Sequence, residues 1–157
     1  MELGLVMAIL GGSLVIVLAG IGSSIGVGLS AQAAGGVLTE DPDKLGKLIP
    51  LVGIPGTQGF YGLLVGFMVI LKLKLLTASP IIPTLSQGLQ ILSICTSVGM
   101  VELISAIHQG KVSVAGVGIV AKRPEEMGKA LILPAFVEIY AVLGLVAGFL
   151  LLQGVKV

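Results

Sequence analysis

Apolar residues fill this chain in four blocks, at roughly 3–38, 48–71, 85–121 and 127–152, separated by short polar stretches. Each block reaches the ~20 residues that carry an α-helix across a bilayer. The first and third hold some 35 residues each, about 50 Å at helical rise. They are expected to project beyond the ~30 Å hydrocarbon layer. Between blocks one and two lies "TEDPDKLGK", and between three and four "AKRPEEMGK"; Lys72, Lys74 and "TASPIIPT" join the middle pair. The pattern predicts an all-α membrane protein of four transmembrane helices.

The two charged turns match at an offset of 82, Pro42 with Pro124, Gly46 with Gly128 and Lys47 with Lys129. The same offset pairs Ser23 with Ser105, Gly28 with Gly110, Gly62-Leu63 with Gly144-Leu145 and Gly66-Phe67 with Gly148-Phe149. An ungapped register through both turns and both helix pairs points to a duplicated helical hairpin. The expected units are residues 1–80 and 81–157.

Composition strengthens the membrane reading. Of 157 residues 55% are hydrophobic and 11% charged, with a mean hydropathy of +1.14. Soluble domains carry about a quarter charged residues. A net charge of +1 without a basic block or a Trp argues against a nucleic-acid partner. The single Cys95 has no partner for an internal disulfide and suits a buried packing position. The start, "MELGLVMAIL", lacks Lys and Arg and is not expected to be a cleaved secretory signal. Lys44, Lys47, Lys122, Arg123 and Lys129 sit in the charged turns, whereas Lys72, Lys74 and Lys156 lie on the other side. The positive-inside rule therefore places the turns in the cytoplasm.

Small residues recur every four positions in block one, as Gly20, Ser24, Gly28 and as Gly22, Gly26, Ser30, Ala34. Ala106, Gly110 and Gly118 make a similar row in block three. This spacing lets helix backbones approach closely in lipid. Two readings stay open: ordinary packing inside one bundle, or the crowded inner circle of a ring of subunits.

Four polar residues from three blocks share one depth. Glu138 lies about 17 Å along its helix from the turn near Met127, and Thr57 and Gln58 about 10 residues beyond Lys47. Gln109 precedes Lys122 by 13 residues. A charge kept at mid-membrane costs about 2.5–3.5 kcal/mol on insertion scales, so Glu138 is a functional candidate by default. One carboxylate with a hydroxyl and two amide oxygens suits a hard, monovalent cation. Pro55 lacks an N–H and so frees a backbone carbonyl in the preceding turn, and Tyr61, one turn beyond Thr57, is within reach of the Glu138 carboxylate. The alternative is structural: a protonated Glu138, with the amides and hydroxyl as interhelical hydrogen-bond glue. Glu102 is a second intramembrane carboxylate, about 10 Å beyond Gln109 on the same helix face. It is expected to partner a neighbouring helix or to lie at an interface, more readily than to relay ions. His108 and Lys111 point away from that face.

At this level of detail the chain resembles the rotor-ring proteolipid, the c or K subunit, of V-type ATPases. The duplicated hairpin, the "xxPxxxGK" turns, the Gly-rich first helix and one Glu in the fourth span carry the resemblance over essentially the whole chain. "PGTQGFYG", "QGKV" and "VEIYAVLG" are similar to the sodium-translocating bacterial members. The resemblance implies a homo-oligomeric ring of identical subunits in the plasma membrane, non-catalytic itself and turned by ATP hydrolysis elsewhere. It implies an arginine-bearing stator subunit, and a central-stalk subunit at the cytoplasmic turns. By the same resemblance Na⁺ would sit at Glu138, Gln109, Thr57, Gln58 and the Ile54 carbonyl, with Tyr61 bracing Glu138. Position 56, the repeat mate of Glu138, is Gly, which implies one carrier site per subunit. Ile139 after Glu138 brings no hydroxyl, which keeps H⁺ in play as the alternative cargo. A small secondary transporter with an intramembrane Glu is a more distant rival.

Overall fold

The computed structural model describes residues 3–157; its regular elements are all helical, with an irregular linker over 73–84. Helix α1 spans Leu3–Glu40; a 3-10 turn, Pro42–Lys44, leads into α2, Leu45–Gly53. A second 3-10 turn, Ile54–Gly56, separates α2 from α3, Thr57–Lys72. Helix α4 spans Leu85–Lys122, and a third 3-10 turn, Pro124–Glu126, opens α5, Met127–Gly154. Four segments are thus long and apolar enough to cross a membrane: Leu3–Glu40, Pro42–Lys72, Leu85–Lys122 and Pro124–Gly154. The expected second span is real but is not one regular helix. Pro55 interrupts the α-helical ladder at mid-span, and the chain tightens to 3-10 geometry for one turn there.

Local chemistry sets the ends. Pro42 and Pro124 each open a turn where their missing N–H costs nothing. Thr84 and Gln87 form a reciprocal capping box on α4: the Gln87 N–H donates to Thr84 Oγ1 at 3.4 Å and the Thr84 N–H to Gln87 Oε1 at 2.7 Å. Lys44 clips the charged turns together, donating to the Ala121 carbonyl at 2.8 Å while pairing with Asp41 at 3.2 Å.

Helices α1 and α4 lie against each other, with α3 on α1 and α5 on α4. Their contact is backbone on backbone. A Cβ at Gly22 would stand 2.6 Å from the Leu103 Cα, and one at Gly11 2.7 Å from the Leu92 Cα. Gly110 faces Gly26, where a Cβ would meet the Gly26 carbonyl carbon at 2.8 Å. The two small-residue rows of α1 therefore have different tasks. Gly22, Gly26, Ser30 and Ala34 are buried within the chain, whereas Gly20 and Gly28 have open space beside them. Spacing by four is common to bundle packing and to an outer contact, and each row takes one of those roles. In α4 the row divides too, with Ala106 and Gly110 buried and Gly118 open.

Two apolar clusters cap the bundle. One gathers Val15, Val65, Ile91, Cys95 and Leu152 at the linker end, the other Leu48, Leu51, Val117 and Ala130 at the charged-turn end. Between them lies a layer of polar side chains.

Candidate ion-binding site

Glu138 is half-buried on α5, and four side chains donate to its carboxylate. Oε2 accepts from Gln109 Nε2 at 2.7 Å, from Thr57 Oγ1 at 2.9 Å and from Gln58 Nε2 at 3.3 Å. Oε1 accepts from the Tyr61 hydroxyl at 2.5 Å. Thr57, Gln58 and Tyr61 come from α3, which starts at the irregular turn, so that turn aims all three at α5. Gln109 comes from α4, where it is fully buried, as is Gln58. The expected convergence of three spans at one depth is what the structure contains.

The amides are locked to each other and to the backbone. Gln58 Nε2 donates to Gln109 Oε1 at 2.7 Å, and Gln109 Nε2 also donates to the Pro134 carbonyl at 3.0 Å. The Ile54 carbonyl lies beside the cluster and accepts from Thr57 Oγ1 at 2.9 Å. Thr57 has one hydroxyl proton, so it serves either Ile54 or Glu138 at any moment. When it serves Glu138, a lone pair of the Ile54 carbonyl is freed toward the site.

Three further residues belong to the arrangement that the sequence pattern does not single out. Ser105 Oγ donates to the Val137 carbonyl at 3.3 Å and lies 3.4 Å from Gln58 Nε2 as its acceptor. Its position four residues before Gln109, on one helix face, was the available signal. Ser23, its repeat mate, accepts the Gly59 N–H at 2.7 Å and pins α3 just past the turn. Pro134 supplies the carbonyl that holds Gln109. Glu102 corrects an expectation. It is fully buried inside the chain, neither interfacial nor bonded to a neighbouring helix, and both its carboxyl oxygens lack hydrogen-bond partners. His108 and Lys111 are exposed on the opposite side of α4, as helical phase requires.

Aromatic side chains are exposed near the site: Phe60, two positions from Gln58, is 68% exposed, and Phe136 and Tyr140, two positions either side of Glu138, are 63% and 69% exposed. Such rings at mid-span need lipid or another apolar surface over them. Among the described residues no three His, Cys, Asp or Glu side chains gather into a metal cluster.

Fold and site together define a multi-pass membrane protein built on a duplicated hairpin, with one hydrogen-bonded carboxylate at mid-depth. The model of the ATP synthase C-subunit family matches twice, at residues 10–69 and 92–151. Both ends of the second match lie 82 residues after those of the first, the offset of the internal repeat. The V-type sodium ATPase subunit K of Enterococcus hirae is 40% identical over 148 residues, 94% of this chain and 91% of that protein. The A-type ATP synthase subunit K of Methanocaldococcus jannaschii is 37% identical over 151 residues, 96% of this chain and 64% of that protein. The chain belongs to the ATP synthase C-subunit family, as a rotor proteolipid of a V/A-type ATPase. Members of this family are ring-forming, membrane-embedded and non-catalytic.

Proposed function

We propose that this protein carries Na⁺ at Glu138 and moves it across the membrane as the ring turns under ATP hydrolysis. The donor set carries the reading: a single carboxylate surrounded by a hydroxyl, two amides and a freed backbone carbonyl, from three spans. As arranged, the two amides present N–H to the carboxylate. A half-turn of each presents Oε1 instead, so that Gln58, Gln109, Thr57, Ile54 and Glu138 together offer oxygen to a hard cation. The name of the Enterococcus hirae relative, a sodium ATPase subunit, supports the same cargo.

Neutrality then governs rotation. With a monovalent cation bound, the site has no net charge and can face lipid; without it, the bare carboxylate is held away from lipid. An arginine on a stator subunit would relieve that charge at one point of the circle, between an exit path and an entry path. On this reading the charged turns, with Lys44, Lys47, Lys122, Arg123 and Lys129, face the cytoplasmic side of the plasma membrane, as the positive-inside rule favours, and a central stalk would dock there. The alternative cargo is a proton, since Ile139 brings no side-chain oxygen to complete a cation cage; the amides and hydroxyls would then only hydrogen-bond the carboxyl group.

Carbodiimide, which modifies a protonated, reachable carboxyl group, tests the cargo on the purified ring. Na⁺ is expected to slow the Glu138 reaction, with K⁺ at equal ionic strength having little effect. Labelling that follows pH alone and ignores Na⁺ would assign H⁺ instead.

Tyr61 is expected to brace the carboxylate. Its hydroxyl bonds the oxygen that the other donors leave free, and hydrogen bonds to charged groups contribute about 1.5–3 kcal/mol. Tyr61→Phe should weaken Na⁺ binding roughly tenfold to a hundredfold while the ring stays intact. An unchanged Na⁺ protection curve would show that the bond matters only to packing.

A further inference from the structure

Glu102 has no part in the cluster just described, yet among the described residues it is the most deeply buried carboxyl group. It lies on α4 seven residues before Gln109 and three before Ser105, on the face turned to α5. Its Oε1 stands 3.4 Å from where a Cβ of Gly144 would be, so a glycine on α5 leaves the space it occupies. In the first hairpin its repeat mate is Gly20, which has open space beside it. The two hairpins therefore differ at this position, and the carboxyl lies at a place buried within a single chain before any ring forms.

The surroundings decide what it can bind. Neither oxygen has a protein partner, and a metal cation needs several oxygen ligands. A proton needs the carboxyl alone, and burial in apolar surroundings favours the neutral acid over the bare charge. The ionisable groups facing Glu102 are Glu138 on α5 and Tyr61 on α3. The ionisable residue of α1 is Glu40, at the distant charged turn. On α4 itself, His108 and Lys111 lie on the exposed face.

We propose that Glu102 is a second ion-binding site of the protein, specific for a proton, whose occupancy sets the cation affinity at Glu138. The proposal rests on the sodium reading of Glu138 for its second half. Six residues along α5 separate Gly144 from Glu138, about 9 Å at helical rise. When Glu102 is protonated it adds no charge, and Glu138 alone attracts the cation. When the proton leaves, a second negative charge about 10 Å away strengthens binding on the order of tenfold, taking an effective dielectric constant of about 20. Cation affinity therefore rises with pH in a step that belongs to Glu102, on top of the rise that proton competition at Glu138 itself produces in every ring.

Purified rings of the wild type, Glu102→Gln and Glu102→Met test this; the Met variant buries no polar group, should the amide of Gln disturb folding. The first readout is the infrared difference spectrum between wild type and variant in saturating Na⁺. A protonated-carboxyl band that the variants lose is expected, and equal spectra would overturn the proton site. The second is Na⁺ protection of Glu138 from carbodiimide as a function of pH. The wild type should show the tenfold step and both variants should lack it; one shared pH profile would overturn the regulatory role. Absence of Na⁺ protection in every ring would instead remove the sodium reading, with the infrared result still deciding whether Glu102 holds a proton.

Discussion

Glu138→Gln rings are expected to assemble normally but to transport no Na⁺ above background. Glutamine keeps the shape: with its oxygen in the place of Oε2 it still accepts from Thr57 and Gln109, and its NH2 can donate to the Tyr61 oxygen, so the α3–α4–α5 contact survives. What it loses is the charge that neutralises a cation. Removing one partner of a buried, bonded charge pair costs about 3–5 kcal/mol, a loss of two to three orders of magnitude or more in cation affinity. Na⁺ uptake into vesicles carrying the assembled ATPase measures the effect. Retained uptake would move the carrier role to another residue, and Glu102 would be the one to examine. A neutral residue at 138 also removes the rule against an empty site crossing lipid. ATP hydrolysis by the complex is therefore expected to continue while no longer responding to Na⁺.

The second large effect concerns the α1–α4 contact. Gly22→Val should prevent accumulation of folded protein, because the new Cβ would fall 2.6 Å from the Leu103 Cα and no flexible side chain is there to move aside. Overpacking that side chains can absorb costs about 1–3 kcal/mol, and backbone opposing backbone exceeds that range. Gly28→Val makes the informative contrast, since nothing within one chain lies against Gly28. That variant should insert and fold as a single chain and fail, if it fails, at ring assembly. Membrane abundance and detergent-resistant ring yield separate the two steps. Equal behaviour of the variants would mean that the rows do not divide the packing as described.

Much of this architecture was visible in the residues. Helices in lipid must satisfy their own backbone hydrogen bonds, so long apolar runs announce the spans, and "TEDPDKLGK" and "AKRPEEMGK" mark the turns with the repeat. The Glu138 cluster was visible for a related reason: polar side chains are rare at that depth, so Thr57, Gln58, Gln109 and Glu138 stand out, and counting from the turns aligns them. Facing was much less legible. Lipid tails are as apolar as a protein interior, so a helix such as α1 is apolar all round and its sequence does not say which side is inward. Two small-residue rows of equal spacing could not be told apart, and Glu102 could not be placed inside or at an interface. Ser105 showed only as the repeat mate of Ser23 and not as part of the site, because a serine in such a helix can bond its own backbone and needs no partner. Pro134 is similarly unremarkable until the Gln109 amide is seen on its carbonyl.

The long helices have a mechanical consequence. Helices α1 and α4 run 38 residues each without a break, about 57 Å at helical rise, and are locked backbone to backbone along their length. The irregular turn and Pro134 sit instead in the flanking segments that hold Glu138. Torsional stiffness and local compliance are thus assigned to different layers of one molecule. A twist applied at the charged turns would pass along the closely packed α1–α4 pair with little elastic wind-up. Give around the Glu138 cluster falls to the flanking segments, the irregular turn before α3 and Pro134 in α5, where bending one turn does not slacken the shaft.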